Sequence, residues 1–239
     1  MNKGIFYAVS TGPGKREMLT LQATEILREC HVIFYPESEK NNIALDSISR
    51  IPGLALSQKT LIPCRFSMTQ DKQKSSAEYG AIVKVCENFL REGKSVAMLS
   101  IGDVSLYSTA ARTARLIQSH GFEVCLLPGV NSFSAAACAS ALSLCEQDEK
   151  LSIIPGDAFY IEGKLKSALQ DEGTKVLMKM GRHLRKIVSL LQEMDLIQKS
   201  TLVQKATLEG EKKFSAGQIL ALSEKDLESS YLSVLIVKG

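Results

Sequence analysis

Four short stretches carry the residues whose types and spacing could do chemistry: Thr11-Gly12-Pro13-Gly14, Gly102-Asp103, Pro128-Gly129-Val130-Asn131-Ser132 and Met178-Lys179-Met180-Gly181. Each follows a short apolar run. A glycine turn at the carboxyl end of a strand leaves backbone N–H groups free, and a helix that opens there adds the positive end of its dipole. That pattern suits binding of an anionic or nucleotide-like small molecule. Two readings of Asp103 are open: it satisfies N–H groups of its own turn, or it accepts hydrogen bonds from ammonium or hydroxyl groups of a ligand. Ser132 likewise either caps a helix that packs through Ala135-Ala136-Ala137 or presents its hydroxyl to a carboxylate or ribose. Methionines at a strand end are ordinary core residues, and their soft side chains also suit an adenine or a thioether.

Other chemistries lack their residues. The sequence has no G-x-S-x-G, H-E-x-x-H, P-loop or G-x-G-x-x-G pattern. His31, His120 and His183 are scattered and read as surface or helix-end residues, so no metal is expected. The chain has 239 residues, 45% of them hydrophobic, which is enough for a sizeable core. A formal charge of +3 does not argue for a nucleic-acid surface. Cys30, Cys64, Cys86, Cys125, Cys138 and Cys145 form no C-x-x-C pair and read as small core residues in a reduced compartment, the cytoplasm. The N-terminus shows no signal-peptide pattern, so the mature chain is expected to start near Met1. The charge-free window from Val124 to Cys145 imitates a membrane span, but Pro128-Gly129, Asn131 and serines interrupt it; a buried strand and a buried helix are expected instead.

The elements that position these stretches follow from periodicity. Gly4 to Ser10 reads as a strand, then comes a helix capped by Thr20 with Leu21, Ile26 and Leu27 inward, then a strand from Val32 to Tyr35 stopped by Pro36. A short helix near Ile43 to Ile51 and a strand at Thr60-Leu61-Ile62 follow. From Gln70 to Glu92 the residues Ile82, Val83, Cys86, Phe89 and Leu90 share one helical face, with Gly93 as terminator. A strand from Val96, a helix from Tyr107 to His120 bearing Ala110, Ala111, Ala114 and Ile117, and a strand from Phe122 to Leu127 complete a mostly parallel α/β sheet. Beyond it, strands at Leu151 to Ile154, Thr174 to Met178, Thr201 to Gln204, Glu211 to Ser215 and Tyr231 to Val237, with a helix from Leu184 to Met194, predict a second, mixed sheet. The expected domains are 1–127 and 128–239.

In order, these pieces resemble the tetrapyrrole methylase family. The likeness rests on Gly12-Pro13-Gly14 with Leu19-Thr20-Leu21, the Gly102-Asp103 loop with Tyr107, Leu127-Pro128-Gly129-Val130-Asn131-Ser132, and Ala206-Thr207. Tyr107-Ser108-Thr109, Ser132 to Ala137, Asp148-Glu149-Lys150-Leu151 and Leu177 to Arg182 are most similar to the branch that methylates C20 of precorrin-2 or cobalt-factor II in cobalamin biosynthesis. Two positions depart from the family pattern: Lys15 stands where an acid usually follows the first loop, and Val104 where a proline usually follows Asp103.

The resemblance implies two α/β domains of the class III methyltransferase type, usually a homodimer, with S-adenosylmethionine folded between the domains and S-adenosylhomocysteine as product. It assigns Gly102, Asp103, Leu106, Ser132, Phe133, Met180 and Ala206 to the donor. It sets the polycarboxylate tetrapyrrole near Gly12, Pro13 and Gly14, with Lys15, Arg16, Arg65, Lys179 and Arg182 as candidates for gripping its carboxylates. Tyr107 is the candidate for assisting proton removal. No nucleic acid and no membrane is expected. A methyltransferase for another corrin position, the related diphthine synthase, and a non-enzymatic nucleotide-binding module are the alternatives.

Overall fold

The computed structural model describes residues 3–37, 42–66, 71–223, 226 and 232–239, and does not describe the side chains of Lys72 and Arg182. Gln70 and Tyr231, the expected first residues of a helix and a strand, lie outside the described residues. The chain divides into two compact units, Met1–Asn131 and Ser132–Gly239.

In the first unit the strands β1 (Phe6–Ser10), β2 (Val32–Pro36), β3 (Thr60–Cys64), β4 (Val96–Ser100) and β5 (Val124–Leu127) form one parallel sheet in the order β3-β2-β4-β1-β5. Strand side chains alternate, so each strand feeds two cores. Phe6, Ala8, Val32, Phe34, Val96 and Met98 pack on one face with α3 (Lys72–Arg91) and α4 (Thr109–Ser119), through Val83, Cys86, Leu90, Ala110, Ala114 and Ile117. Val9, Ile33, Ala97 and Leu99 pack on the other face with α1 (Leu21–Glu29) and α2 (Ile43–Ser49), through Ala23, Leu27, Ala44 and Ile48. The helix after β1 and the helix after β4 therefore leave toward opposite faces. Adjacent parallel strands whose connections diverge in this way open a crevice at their carboxyl ends. Gly12 and Gly102 lie there.

Three local expectations change. Thr20 does cap α1, accepting the Ala23 N–H at 3.1 Å, but Leu21 is 84% exposed and the inward residues are Ala23, Leu27 and the partly buried Ile26. As the first residue of the helix, Leu21 precedes the turn that meets the sheet. Pro63 lies inside β3 rather than beyond its end; β3 is an edge strand paired only with β2, where a missing N–H costs no ladder bond. Cys138 and Cys145 are exposed, not core: Cys138 lies on α5 (Ser132–Ala139) away from its buried residues Phe133, Ala135, Ala136 and Ala137, and Cys145 lies beyond the helix end. Cys30, Cys64 and Cys86 are buried. Among the described residues, no helix is long and apolar enough to cross a membrane.

The second unit holds a mixed sheet in the order β6-β7-β10-β8-β9. Its strands are β6 (Leu151–Pro155), β7 (Thr174–Met178), β8 (Ser200–Gln204), β9 (Lys212–Phe214) and β10 (Ser233–Val237). β6 and β7 are parallel and the remaining pairs antiparallel. Leu177, Leu202 and Leu235 share a core with Leu184, Ile187 and Leu191 of α8 (Leu184–Glu193). The same core takes residues from three helices that the periodicity did not predict, α6 (Gly156–Ile161), α7 (Leu165–Gln170) and α9 (Ala216–Leu220). Runs of five or six residues are too short to display a 3.6-residue repeat.

The contrast within α1 is testable. Leu27→Ala, at a residue with no exposure, should cost about 2–5 kcal/mol in urea unfolding. Leu21→Ala should stay within about 0.5 kcal/mol of the parent.

Candidate functional site

The carboxyl ends of β1, β4 and β5 are joined by side chains and turns rather than by the ladder. Ser10, the last residue of β1, is fully buried; its hydroxyl donates to Leu127 O at 2.6 Å and accepts from Val104 N at 2.8 Å. Thr11 N–H donates to Ser100 O at 2.8 Å, and Gly102 N–H to Gly12 O at 2.7 Å, forming an isolated antiparallel bridge. Two of these positions require glycine. Gly102 adopts φ 77°, and a Cβ on Gly129 would lie 2.4 Å from Ser10 Cβ.

Asp103 completes the junction. Its Oδ1 accepts from Ser105 N–H at 2.8 Å and from the Ser105 hydroxyl, and its Oδ2 accepts from Gly129 N–H at 2.6 Å. Burial on its own raises the Asp103 pKa, but the Ser105 hydroxyl and the Gly129 and Ser105 N–H groups outweigh it and hold the carboxyl below the ordinary aspartate value. The turn-satisfying role is thus real and reaches a second loop 26 residues away. An ionised carboxylate offers about four acceptor sites; among the described residues three are used, and one on Oδ2 remains.

Leu106 N–H closes the same turn onto Asp103 O at 3.2 Å. Tyr107 follows in a left-handed conformation, φ 51°, and is 43% exposed. Desolvation raises its phenol pKa, so at neutral pH it keeps its proton. Ser108 caps α4 by accepting from Ala111 N–H at 3.3 Å, and its hydroxyl lies 2.9 Å from that of Ser100. Gly12 and Pro13 are buried, and Gly14 O accepts from the Ser47 hydroxyl at 2.8 Å, which ties the first loop to α2.

The basic candidates differ in what they already hold. Arg16 pairs with Glu17 and donates to Arg50 O, both at 3.0 Å, and Arg65 pairs with Glu37 at 2.5 Å. Lys15 and Lys179 make no salt bridge among the described residues. Solvent reaches Lys179, yet the protein around it removes enough water to lower its pKa. The Arg182 side chain lies outside the described residues.

Lys179, Met180 and Ala206 belong to the second unit, as do Ser132 and Phe133 at the start of α5. Met180 is fully buried, and Ala206 and Phe133 are each 7% exposed. The loop after β7 is held by a group that the sequence pattern did not reveal. Asp157 N–H donates to Lys179 O at 3.1 Å, its carboxylate meets His183 Nδ1, and the His183 ring stacks on Tyr160 with centroids 5.1 Å apart. Asp157 and His183 are 26 residues apart, so no spacing pattern joins them. Ser10 was missed for a similar reason; a polar residue ending an apolar strand is its one sequence signal. Among the described residues no group of three or more His, Cys, Asp or Glu side chains could hold a metal ion.

A family model described as Tetrapyrrole (Corrin/Porphyrin) Methylases matches residues 6–219. A probable cobalt-precorrin-2 C(20)-methyltransferase of Methanocaldococcus jannaschii is 31% identical over 82% of this chain and 81% of the relative. A cobalt-precorrin-2 C(20)-methyltransferase of Salmonella typhimurium is 29% identical over 87% and 86%. Among solved structures, a cobalt precorrin-4 methyltransferase superposes with TM-score 0.72 at 18% identity, covering 98% of this chain and 94% of its own. A Thermus thermophilus uroporphyrin-III C-methyltransferase, solved with S-adenosylhomocysteine, gives TM-score 0.69 at 20% identity, covering 98% and 97%. At these identities the structural likeness establishes the fold.

The junction makes a pH-dependent prediction. Asp103→Asn keeps the shape but turns an N–H toward one of the two loops, and should cost about 1–3 kcal/mol in urea unfolding at neutral pH. The folded-state pKa of Asp103 is depressed, so its contribution is complete above the unfolded value and lost as pH falls through the folded one. A protonated carboxyl, like the amide, presents a donor where the carboxylate only accepts. The gap between parent and variant should therefore close on acidification below the ordinary aspartate range.

Proposed function

This chain belongs to the tetrapyrrole methylase family, and from that premise we propose that it is an S-adenosylmethionine-dependent C-methyltransferase acting at C20 of a reduced tetrapyrrole, precorrin-2 or its cobalt form, in cobalamin biosynthesis. The observation that carries this reading is the match to relatives named cobalt-precorrin-2 C(20)-methyltransferase across more than four-fifths of both chains. The rim of the first unit fits the donor chemically. It offers backbone at Gly102 without a side chain in the way, and, among the described residues, one unused acceptor site on the buried Asp103 carboxylate for an ammonium or hydroxyl group. Ala206 offers a small apolar surface that an adenine could meet, and Met180 packs into the second unit's apolar core with Leu177 and Ile187.

When bound, S-adenosylmethionine supplies a methyl group already activated on a sulfonium, so the chain needs no nucleophile of its own. Its contribution is positioning. We assign Gly102, Asp103, Leu106, Ser132, Phe133, Met180 and Ala206 to the donor, and the Gly12-Pro13-Gly14 loop to the tetrapyrrole. Asp103 holds the exits of β4 and β5 in register while its remaining acceptor site orients the donor. Lys15 and Lys179, which make no salt bridge among the described residues, grip substrate carboxylates; Arg16 and Arg65 enter that role by exchanging Glu17 and Glu37 for them. Tyr107 keeps its proton and orients the ring as a hydrogen-bond donor. The reading extends to a homodimer working in the cytoplasm, in keeping with six free cysteines.

Anaerobic incubation of the protein with S-adenosylmethionine and either precorrin-2 or cobalt-precorrin-2 tests it. One S-adenosylhomocysteine should form per ring methylated, and NMR of the product should place the new methyl at C20. Donor binding with no transfer to either ring, or a methyl at another position, would refute the C20 assignment.

A further inference from the structure

The end of the second sheet where β6, β7 and β8 begin and β10 finishes is remote in the strands from the exits described above, and it borders a cavity of about 630 Å³. That size is ordinary for a small-molecule site. None of the residues assigned to the donor or the tetrapyrrole lines it. Its floor is apolar, made by Leu169 of α7 and by Met194 and Leu196 beyond α8, and is continuous with the core of the unit.

Lysines reach the cavity from the strands. Lys175, Val237 and Ser200 stand directly opposite one another on β7, β10 and β8, so their side chains share the face on which Val237 joins the core. Lys175 is accordingly only 5% exposed, in a row position that an apolar residue would ordinarily take. Its ammonium donates to Asp171 O just after α7; an ammonium has three donors, and among the described residues the other two are unused. Loss of water, reinforced by the charges of Lys199 and Lys150, lowers its pKa against the opposing pull of Asp171 and Glu172. Lys199, in the turn before β8, lines the cavity as well.

Carboxylates reach it from the helix ends. Asp171 and Glu172 follow α7, and Glu193 is the last residue of α8, where the helix dipole is negative. Lys166 on α7 breaks this division, and Lys238 is already held by Glu149 at 3.3 Å and Ser143 O at 3.1 Å. Among the described residues Asp171, Glu172 and Glu193 form no salt bridge with Lys166, Lys175 or Lys199, although all six line the one cavity. A lone anion there would face three carboxylates, and a lone cation the ammonium groups. We propose that this cavity binds a short zwitterion with an apolar middle, of the dipeptide class. Its carboxylate lies toward Lys175 and Lys199, its ammonium toward Glu193, Asp171 and Glu172, and its side chains on Leu169, Met194 and Leu196. The separation that keeps the two signs from pairing is the span such a ligand bridges. The site is independent of the methyltransferase reading.

Calorimetry and amide NMR of the full chain with L-leucyl-L-leucine test the proposal, alongside the N-acetyl and C-amide forms of that dipeptide, each of which lacks one charge. The dipeptide should bind with a Kd of about 1 mM or tighter and shift the amides of Gly173, Lys175 and Glu193. Each blocked form should bind at least about tenfold more weakly. Lys199→Gln and Glu193→Gln, both at exposed residues, should weaken the dipeptide by about three- to tenfold while circular dichroism stays that of the parent. No binding at that affinity, or shifts confined to other parts of the chain, overturns the proposal. So does an N-acetyl form that binds as well as the dipeptide, which would mark an anion site, or an amide form that does, which would mark a cation site. Parental affinity in either variant overturns it too.

Discussion

The joining of three parallel strand ends by one hydroxyl and one carboxylate is the constraint on which the first unit's site depends. Parallel strands finish side by side with their last N–H and C=O groups beyond the ladder, and buried groups of that kind must find partners. Ser10 and Asp103 supply them. Ser10 links the end of β1 to the exits of β4 and β5 through Val104 N–H and Leu127 O, and Asp103 links the latter two through Gly129 N–H. The close approach leaves no room for a Cβ at Gly129. A rim built this way is bare of side chains because packing requires it, and a bare rim is what lets a ligand reach backbone groups.

The second unit meets the same problem differently. Its strand exits at Lys179, Lys205 and Thr207 are turned by left-handed non-glycine residues, each position costing of order 1–3 kcal/mol. Asp157 N–H holds the first loop at Lys179 O while its carboxylate meets His183, and the Glu211 carboxylate accepts Thr207 N–H at the last. At Thr207 the bond is to a charge, so leaving the strained conformation would break a charge-assisted hydrogen bond. Met180 and Ala206, the buried residues beside these anchors, are assigned to the donor in the reading proposed above. Fixed loops matter for catalysis by positioning, in which small displacements of a bound donor cost large factors in rate.

Much of the first unit was legible because its sheet is covered on both faces. Each strand alternates between two apolar layers, and α3 and α4 carry clean helical stripes ended by Gly93 and Gly121, both at positive φ. The errors fall where a local rule lacks its context. Leu21 fits an apolar stripe but sits in the first turn, before the helix reaches the sheet. Pro63 forbids a central strand, not an edge one. Cys138 and Cys145 lie in an apolar window, but the first sits on the exposed side of α5 and the second beyond its end. The glycine loops were visible one at a time, as was Asp103, whose turn-satisfying role the structure shows and extends to the Gly129 loop.

By itself the sequence determined the elements, the order in which they alternate, and the four exits where chemistry could occur, since periodicity and turn residues are properties of neighbours along the chain. Only the tertiary structure decided which exits meet. Ser10 reaches Val104 and Leu127 across 94 and 117 residues, and Gly12 bonds Gly102 because β1 lies beside β4. That adjacency follows from α1 and α4 choosing opposite faces of the sheet, an outcome of burying two apolar layers at once. No local spacing encodes it, because the energy that selects it is shared by every residue of both cores.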